Sequence, residues 1–144
     1  MLCAVAGLAA QASEAQSLPP PDDPPAEARL LPYSGDLPDC ANPSALAEIA
    51  RQFWDRERDY WGSALALESF GAIRETGFRS RGLSFIPRRH CEAAAFFNDG
   101  ATRRVVYAIG EGRGFIGFGW GVEWCVVGLD RGKLYSPACA GVGP

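Results

Sequence analysis

At 144 residues the chain has single-domain length, and a hydrophobic content of 47% is enough to build one core. The formal net charge of −3 excludes a global electrostatic pull toward nucleic acid or an anionic membrane. No metal, nucleotide or nucleic-acid motif stands out, and no cofactor is expected.

Residues 1–15 read as a secretory leader. Leu2, Cys3, Ala4, Val5, Ala6, Leu8, Ala9 and Ala10 form a short apolar run. Small residues follow, and both Ala10-Gln11-Ala12 and Ser13-Glu14-Ala15 suit cleavage. No Lys or Arg precedes the run, and the competing reading is an alanine-rich N-terminus without structure. The run is shorter than the ~20 residues that span a bilayer, so no transmembrane segment is expected in the mature chain. Cys3 begins the run, whereas a lipidated cysteine would follow it.

From residue 16 to 38 prolines interrupt every period: Pro19, Pro20, Pro21, Pro24, Pro25, Pro32 and Pro38. Proline fixes φ and removes a backbone donor, so this stretch is expected to be an extended, disordered spacer. A Pro-rich docking motif is the alternative, but the prolines lack flanking basic residues. The single domain is expected over 39–144.

Loss of the leader removes Cys3 and leaves Cys40, Cys91, Cys125 and Cys139. An even number in a small exported chain points to two disulfides. Zinc needs close cysteine pairs, and none occurs. Leader and cysteines together place the protein in the periplasm or outside the cell.

Asn42-Pro43 opens the first element, a helix with an N-cap and a proline in its first turn. Leu46, Ile49, Ala50, Phe53, Tyr60 and Trp61 recur near helical spacing, with charged residues mainly on the other side, and Gly62 stops the run. Leu46, Ile49, Phe53 and Trp61 are expected to pack it on a sheet. Leu65, Leu67 and Ile73 give a two-residue period in a first strand reaching Phe78. Ile86 to Phe97 is a second, and Asn98-Asp99-Gly100 signals a hairpin. Arg103 to Ile109 is a third, with Val105, Tyr107 and Ile109 on one face. After the flexible turn Gly110 to Gly114, Phe115 to Leu129 reads as a long fourth strand. Leu134 to Cys139 reads as a short fifth after the turn at Asp130-Arg131-Gly132.

In the fourth strand Ile116, Phe118, Trp120, Val122, Trp124 and Val126 share one face. Gly117, Gly119 and Gly121 lie on the other, followed by Glu123 and Cys125. A strand without side chains on one side can bend sharply or admit another backbone. The bulky face reads as core of a curved sheet. The alternative is an aromatic binding wall or an exposed patch for a partner.

The expected class is therefore α+β: one N-terminal amphipathic helix packed on a curved antiparallel sheet of four to five strands. A helix followed by a four-stranded meander resembles the cystatin-like and NTF2-like folds, over roughly residues 42–129. The Q-x-V-x-G and Pro-Trp hairpins of cystatin inhibitors have no counterpart, so the resemblance gives no support to protease inhibition. Ile86-Pro87-Arg88-Arg89-His90-Cys91 and Gly121-Val122-Glu123-Trp124-Cys125 are similar to a family of small exported bacterial proteins of unassigned function.

Meander geometry also discriminates among the three disulfide pairings. Cys40 precedes the helix, and Cys91 lies in the first half of the second strand at the same end of the sheet. Cys125 comes late in the fourth strand, at the opposite end. Disulfide Cα atoms lie within about 4.4–6.8 Å. The expected pairs are Cys40–Cys91 and Cys125–Cys139.

The chemistry-bearing side chains are few. His90 is the only histidine and reads as structural. Cys91 beside it points to the opposite strand face. Glu123, in an apolar strand between Val122 and Trp124, is the one acid placed where burial would suit acid–base work, but no second acid stands at a fixed short spacing. The arginines of the sheet region, Arg74, Arg79, Arg81, Arg88, Arg89, Arg103, Arg104 and Arg113, are expected to pair across strands or to form an anion-binding face. Gly110, Gly112 and Gly114 lack the helix and Lys-Ser/Thr of a phosphate loop. The sequence-level expectation is an exported, non-catalytic binding or assembly module of the cell envelope, with an envelope protein as partner and no nucleic acid. Trp120, Trp124, Glu123, Arg88 and Arg89 are its candidate contacts. The alternative is an NTF2-like ligand-binding or enzymatic domain using the Trp120, Trp124 and Glu123 face.

Overall fold

The computed structural model describes residues 33–80 and 86–144. The leader, spacer residues 16–32 and Arg81 lie outside the described residues. Helix α1 spans Pro43–Trp61 and is followed by strands β1 (Leu67–Arg79), β2 (Arg88–Phe97), β3 (Thr102–Glu111) and β4 (Trp120–Val126). The strands form one antiparallel sheet in the order β1-β2-β3-β4. None of the described helices is long and apolar enough to cross a membrane.

Local chemistry sets the helix ends. The Asn42 side chain accepts hydrogen bonds from the Ser44 and Ala45 amides at 3.0 and 3.2 Å, satisfying donors that the first turn leaves open. Gly62 ends the helix in the left-handed conformation, where a side chain would be strained. The buried row is Ala45, Ile49, Phe53 and Glu57, one residue every four positions. Trp61, expected to pack on the sheet, is 48% exposed, and Tyr60, at helical spacing with it, is 81% exposed. They belong to the last turn, where Arg131 covers the Trp61 ring at 4.7 Å instead of the sheet. Arg131 also pairs with the buried Glu57 at 3.0 Å, so the helix end is closed by an ion pair.

The sheet buries both faces. On one side Phe53 packs between Phe97 and Trp124, with ring centroids at 5.3 and 5.7 Å, and Val105, Tyr107, Ile109 and Val126 complete this core. On the other side Val106, Ala108 and Cys125 are covered by Cys139 and Val142 from the C-terminal segment. His90 is buried there, its Nδ1 donating to the Val142 carbonyl at 2.9 Å. No fifth strand forms at 134–139. Lys133, Ala138 and Cys139 have positive φ, and the Asp130 carboxylate accepts from the Leu134 and Tyr135 amides, which folds the segment into turns.

The disulfides are Cys40–Cys91, with Cα atoms 5.8 Å apart, and Cys125–Cys139, at 5.6 Å. The first ties the lead-in of α1 to β2. The second ties the C-terminal segment to β4.

Contacts with the domain begin before residue 39. The Glu111 carboxylate accepts from the Ser34 and Gly35 amides, both at 2.8 Å, and Leu37 packs against the core. The chain thus enters the fold beside the β3–β4 connection.

Candidate functional site

Strand alternation divides the five candidate contacts between two faces. Trp120, Val122, Trp124 and Val126 face the helix. Trp124 is 4% exposed; its indole donates to the Gln52 side chain at 2.9 Å, and the Arg56 guanidinium lies over its ring at 4.2 Å. Arg89 also lies on this side, ion-paired with Glu75 and stacked on Phe78 at 4.1 Å. Glu123 and Arg88 lie on the opposite face. No common face of Trp120, Trp124 and Glu123 exists, because adjacent strand residues point to opposite sides.

Around Glu123 the structure builds an ion cluster. Glu123 Oε2 accepts from Arg113 at 2.7 Å and stands 3.5 Å from an Arg88 guanidinium nitrogen. Burial, and secondarily the negative Glu123 beside it, raises the Tyr135 phenol above its ordinary range. Two glycines make this cluster possible. Gly110 and Gly121 are register partners in β3 and β4, and Arg113 folds back over both. A Cβ at Gly121 would collide with the Arg113 carbonyl, and one at Gly110 would meet the Arg113 side chain at 2.7 Å. The side-chain-free surface therefore admits another backbone, that of the adjoining loop. Its consequence is mechanical: Glu123 fixes the base of the loop from 112 to 119.

That loop replaces the first third of the expected fourth strand. Residues 115–117 form two tight turns kinked at Ile116, and Ile116, Gly117 and Gly119 have positive φ, which ends the strand alternation before Trp120. The Gly112 amide donates to the Gly119 carbonyl at 2.6 Å. Gly117 and Phe118 donate to the carbonyls of Gly114 and Phe115 at 3.0 and 3.2 Å. A Cβ at Gly114 would overlap the Phe118 carbonyl, so glycine is required for the closure. The closed tip displays Phe115, Ile116 and Phe118 at 88%, 76% and 79% exposure. The sequence reading placed Ile116 and Phe118 in a core-facing row. The structure instead puts three neighbouring large apolar side chains in solvent.

The remaining polar groups are internally engaged. All four described cysteines are in disulfides. Glu92 lies between Arg74 and Arg104 on the outer face, pairing with both. Arg103 pairs with Asp99 in the β2–β3 turn at 2.7 Å and holds its carboxyl below the usual range.

Phe115, Ile116, Phe118 and Arg113 were not singled out as contacts from the sequence. The available signal was the run Gly114 to Val122, which has no charged residue and a glycine at 114, 117, 119 and 121. That glycine density suits a tight loop better than a paired strand. Comparison with protein-family models, curated proteins and solved structures finds no match to this chain.

Proposed function

We propose that the protein is an exported, non-catalytic binding module of the cell envelope that makes its principal contact through the β3–β4 hairpin tip. The observation that carries this reading is the exposure of Phe115, Ile116 and Phe118 on a loop closed by its own hydrogen bonds. Covering a large apolar side chain is worth about 1.5–3 kcal/mol, so three neighbours supply a substantial gross driving force, less the cost of association. The tip is internally hydrogen-bonded and anchored through Arg113 to Glu123, so little ordering cost is added on binding.

Two disulfides support an oxidising compartment, periplasmic or extracellular, and the apolar run at residues 2–10 supports export. Engagement of Glu123, His90 and the four cysteines in structural contacts supports a non-catalytic role. Helix α1 followed by a four-stranded meander supports a cystatin-like arrangement. A ligand-binding or enzymatic NTF2-like role would need Trp124 and Glu123 to converge, and they occupy opposite faces.

The test is fractionation of cells expressing the full chain or its Phe115→Ser, Ile116→Ser, Phe118→Ser triple variant. The wild-type protein is expected to sediment with envelope material and the variant to move to the soluble exported fraction with both disulfides intact. Identical distributions would refute the reading.

A further inference from the structure

We infer that the hairpin tip docks into the headgroup–acyl boundary of a lipid membrane; this rests on the binding role proposed above and names the partner. Four features of the tip carry it.

The first is shape. The tip is an exposed loop: its three apolar side chains are 76–88% exposed, and nothing lies within 4 Å of where a Cβ of Gly119 would sit. Exposed side chains of this kind enter a deformable medium without needing a matching cavity.

The second is polar accounting. Backbone groups moved into hydrocarbon must be paired within the chain. In the tip the Gly112, Gly117 and Phe118 amides donate to the Gly119, Gly114 and Phe115 carbonyls, and the other apex amides are left to the hydrated headgroup level. From Gly114 to Val122 there is no ionisable side chain. The first charge met is Arg113, at the base, where it is held by Glu123.

The third is scale. From the Gly112–Gly119 closure to the apex is three to four residues in tight turns, a rise of at most roughly 8 Å. Interfacial elements insert about 5–10 Å into the headgroup–acyl boundary. Trp120, only partly buried, follows directly at the base of the tip, the level at which interfacial indoles sit.

The fourth is the side from which the chain arrives. Ser34 and Gly35 are held by Glu111, the register partner of Trp120. The described chain therefore begins at the end of the sheet that bears the tip, so chain start and tip face the same side.

The test uses the full chain with vesicles of phosphatidylethanolamine and phosphatidylglycerol at a 3:1 ratio. Flotation is measured for wild type and for the Phe115→Ser, Ile116→Ser, Phe118→Ser variant. Tip insertion is read separately in Phe118→Trp, as quenching of the added indole emission by acyl-chain-brominated lipid. The expected result is a fall of at least tenfold in the vesicle partition of the triple variant and bromine-dependent quenching in Phe118→Trp. Because the contact is apolar, 1 M NaCl is expected to change the wild-type partition by less than about twofold. Absence of quenching overturns the proposal whatever flotation shows, since residues 1–32 are common to both chains. A tip that envelope fractionation requires but brominated lipid does not quench leaves the binding role standing and assigns the tip to a protein groove instead. If neither the fractionation nor the quenching depends on the tip, both readings fail.

Discussion

The Tyr107 hydroxyl donates to the Cys40 carbonyl at 2.6 Å, while the β2 residue paired with Tyr107, Cys91, holds the Cys40 side chain by a disulfide. A covalent and a hydrogen bond from neighbouring strands thus converge on the residue that leads into α1. Tyr107 is fully buried, and burial, aided by the Asp39 carboxylate, pushes its phenol up to about 12. An acid whose folded value is raised favours the folded state only while protonated. Its contribution is complete below about pH 10 and is lost as pH rises toward 12. Denaturant titrations across that window are expected to show stability falling with pH by up to about 2–3 kcal/mol from this group. In Tyr107→Phe this part of the slope should vanish, with a loss of about 1 kcal/mol at neutral pH for the missing hydrogen bond. An unchanged slope in the variant would show that Tyr107 is not the source.

Phe53 is the residue on which helix and sheet meet, touching Phe97 and Trp124. Phe53→Ala removes a buried ring and leaves a cavity, with an expected cost of about 3–5 kcal/mol in chemical denaturation. A loss below 1 kcal/mol would mean that the helix does not pack on the sheet as described.

The two disulfides differ in the chain they close. Cys40–Cys91 spans 51 positions and Cys125–Cys139 spans 14. Loop-closure entropy gives roughly 4 kcal/mol for the first and 3 kcal/mol for the second. Removing Cys40–Cys91 with paired serines is expected to lower the denaturation midpoint more. Removing Cys125–Cys139 is expected to expose the outer sheet face first, raising hydrogen exchange at Val106 and Ala108. Equal exchange there in both variants would contradict the assignment of the C-terminal segment as a cover.

Glu123→Gln withdraws the charge that holds Arg88 and Arg113. The partners are partly exposed, so the global cost is expected to be about 1 kcal/mol or less. Locally the loop base should loosen, and exchange at the Gly112 amide, which donates to Gly119, should accelerate. Acceleration confined to the helix would contradict the anchoring role.

Much of the architecture was legible because local chemistry and period agree. Asn42, Pro43 and Gly62 mark the helix, the Asn98-Asp99-Gly100 turn marks the β2–β3 hairpin, and the apolar run Val105 to Ile109 marks β3, which is buried on both faces. The disulfide pairing followed from strand direction alone. Reading failed where the pattern was right and the backbone was not. Ile116 and Phe118 keep a two-residue apolar spacing with Trp120, but the left-handed turns at Ile116, Gly117 and Gly119 take them out of the sheet. Spacing reports which side chains are apolar; it does not report φ. The candidate contacts suffered from the same abstraction, since Glu123 and Trp124 are adjacent in sequence and opposed in space. Tyr60 and Trp61 fit the helical period but fall in the last turn, where the sheet no longer covers them.

Whether the hairpin tip is the contact surface is read by site-specific photocrosslinking in the envelope. A photoreactive residue at position 116 is compared with one at position 60, an exposed helix position that the account gives no binding role. A dominant adduct with an envelope component, lipid or protein, is expected from position 116. That adduct should be lost when Phe115→Ser and Phe118→Ser are introduced and be absent from position 60. No adduct from position 116, or equal adducts from both positions, would contradict it.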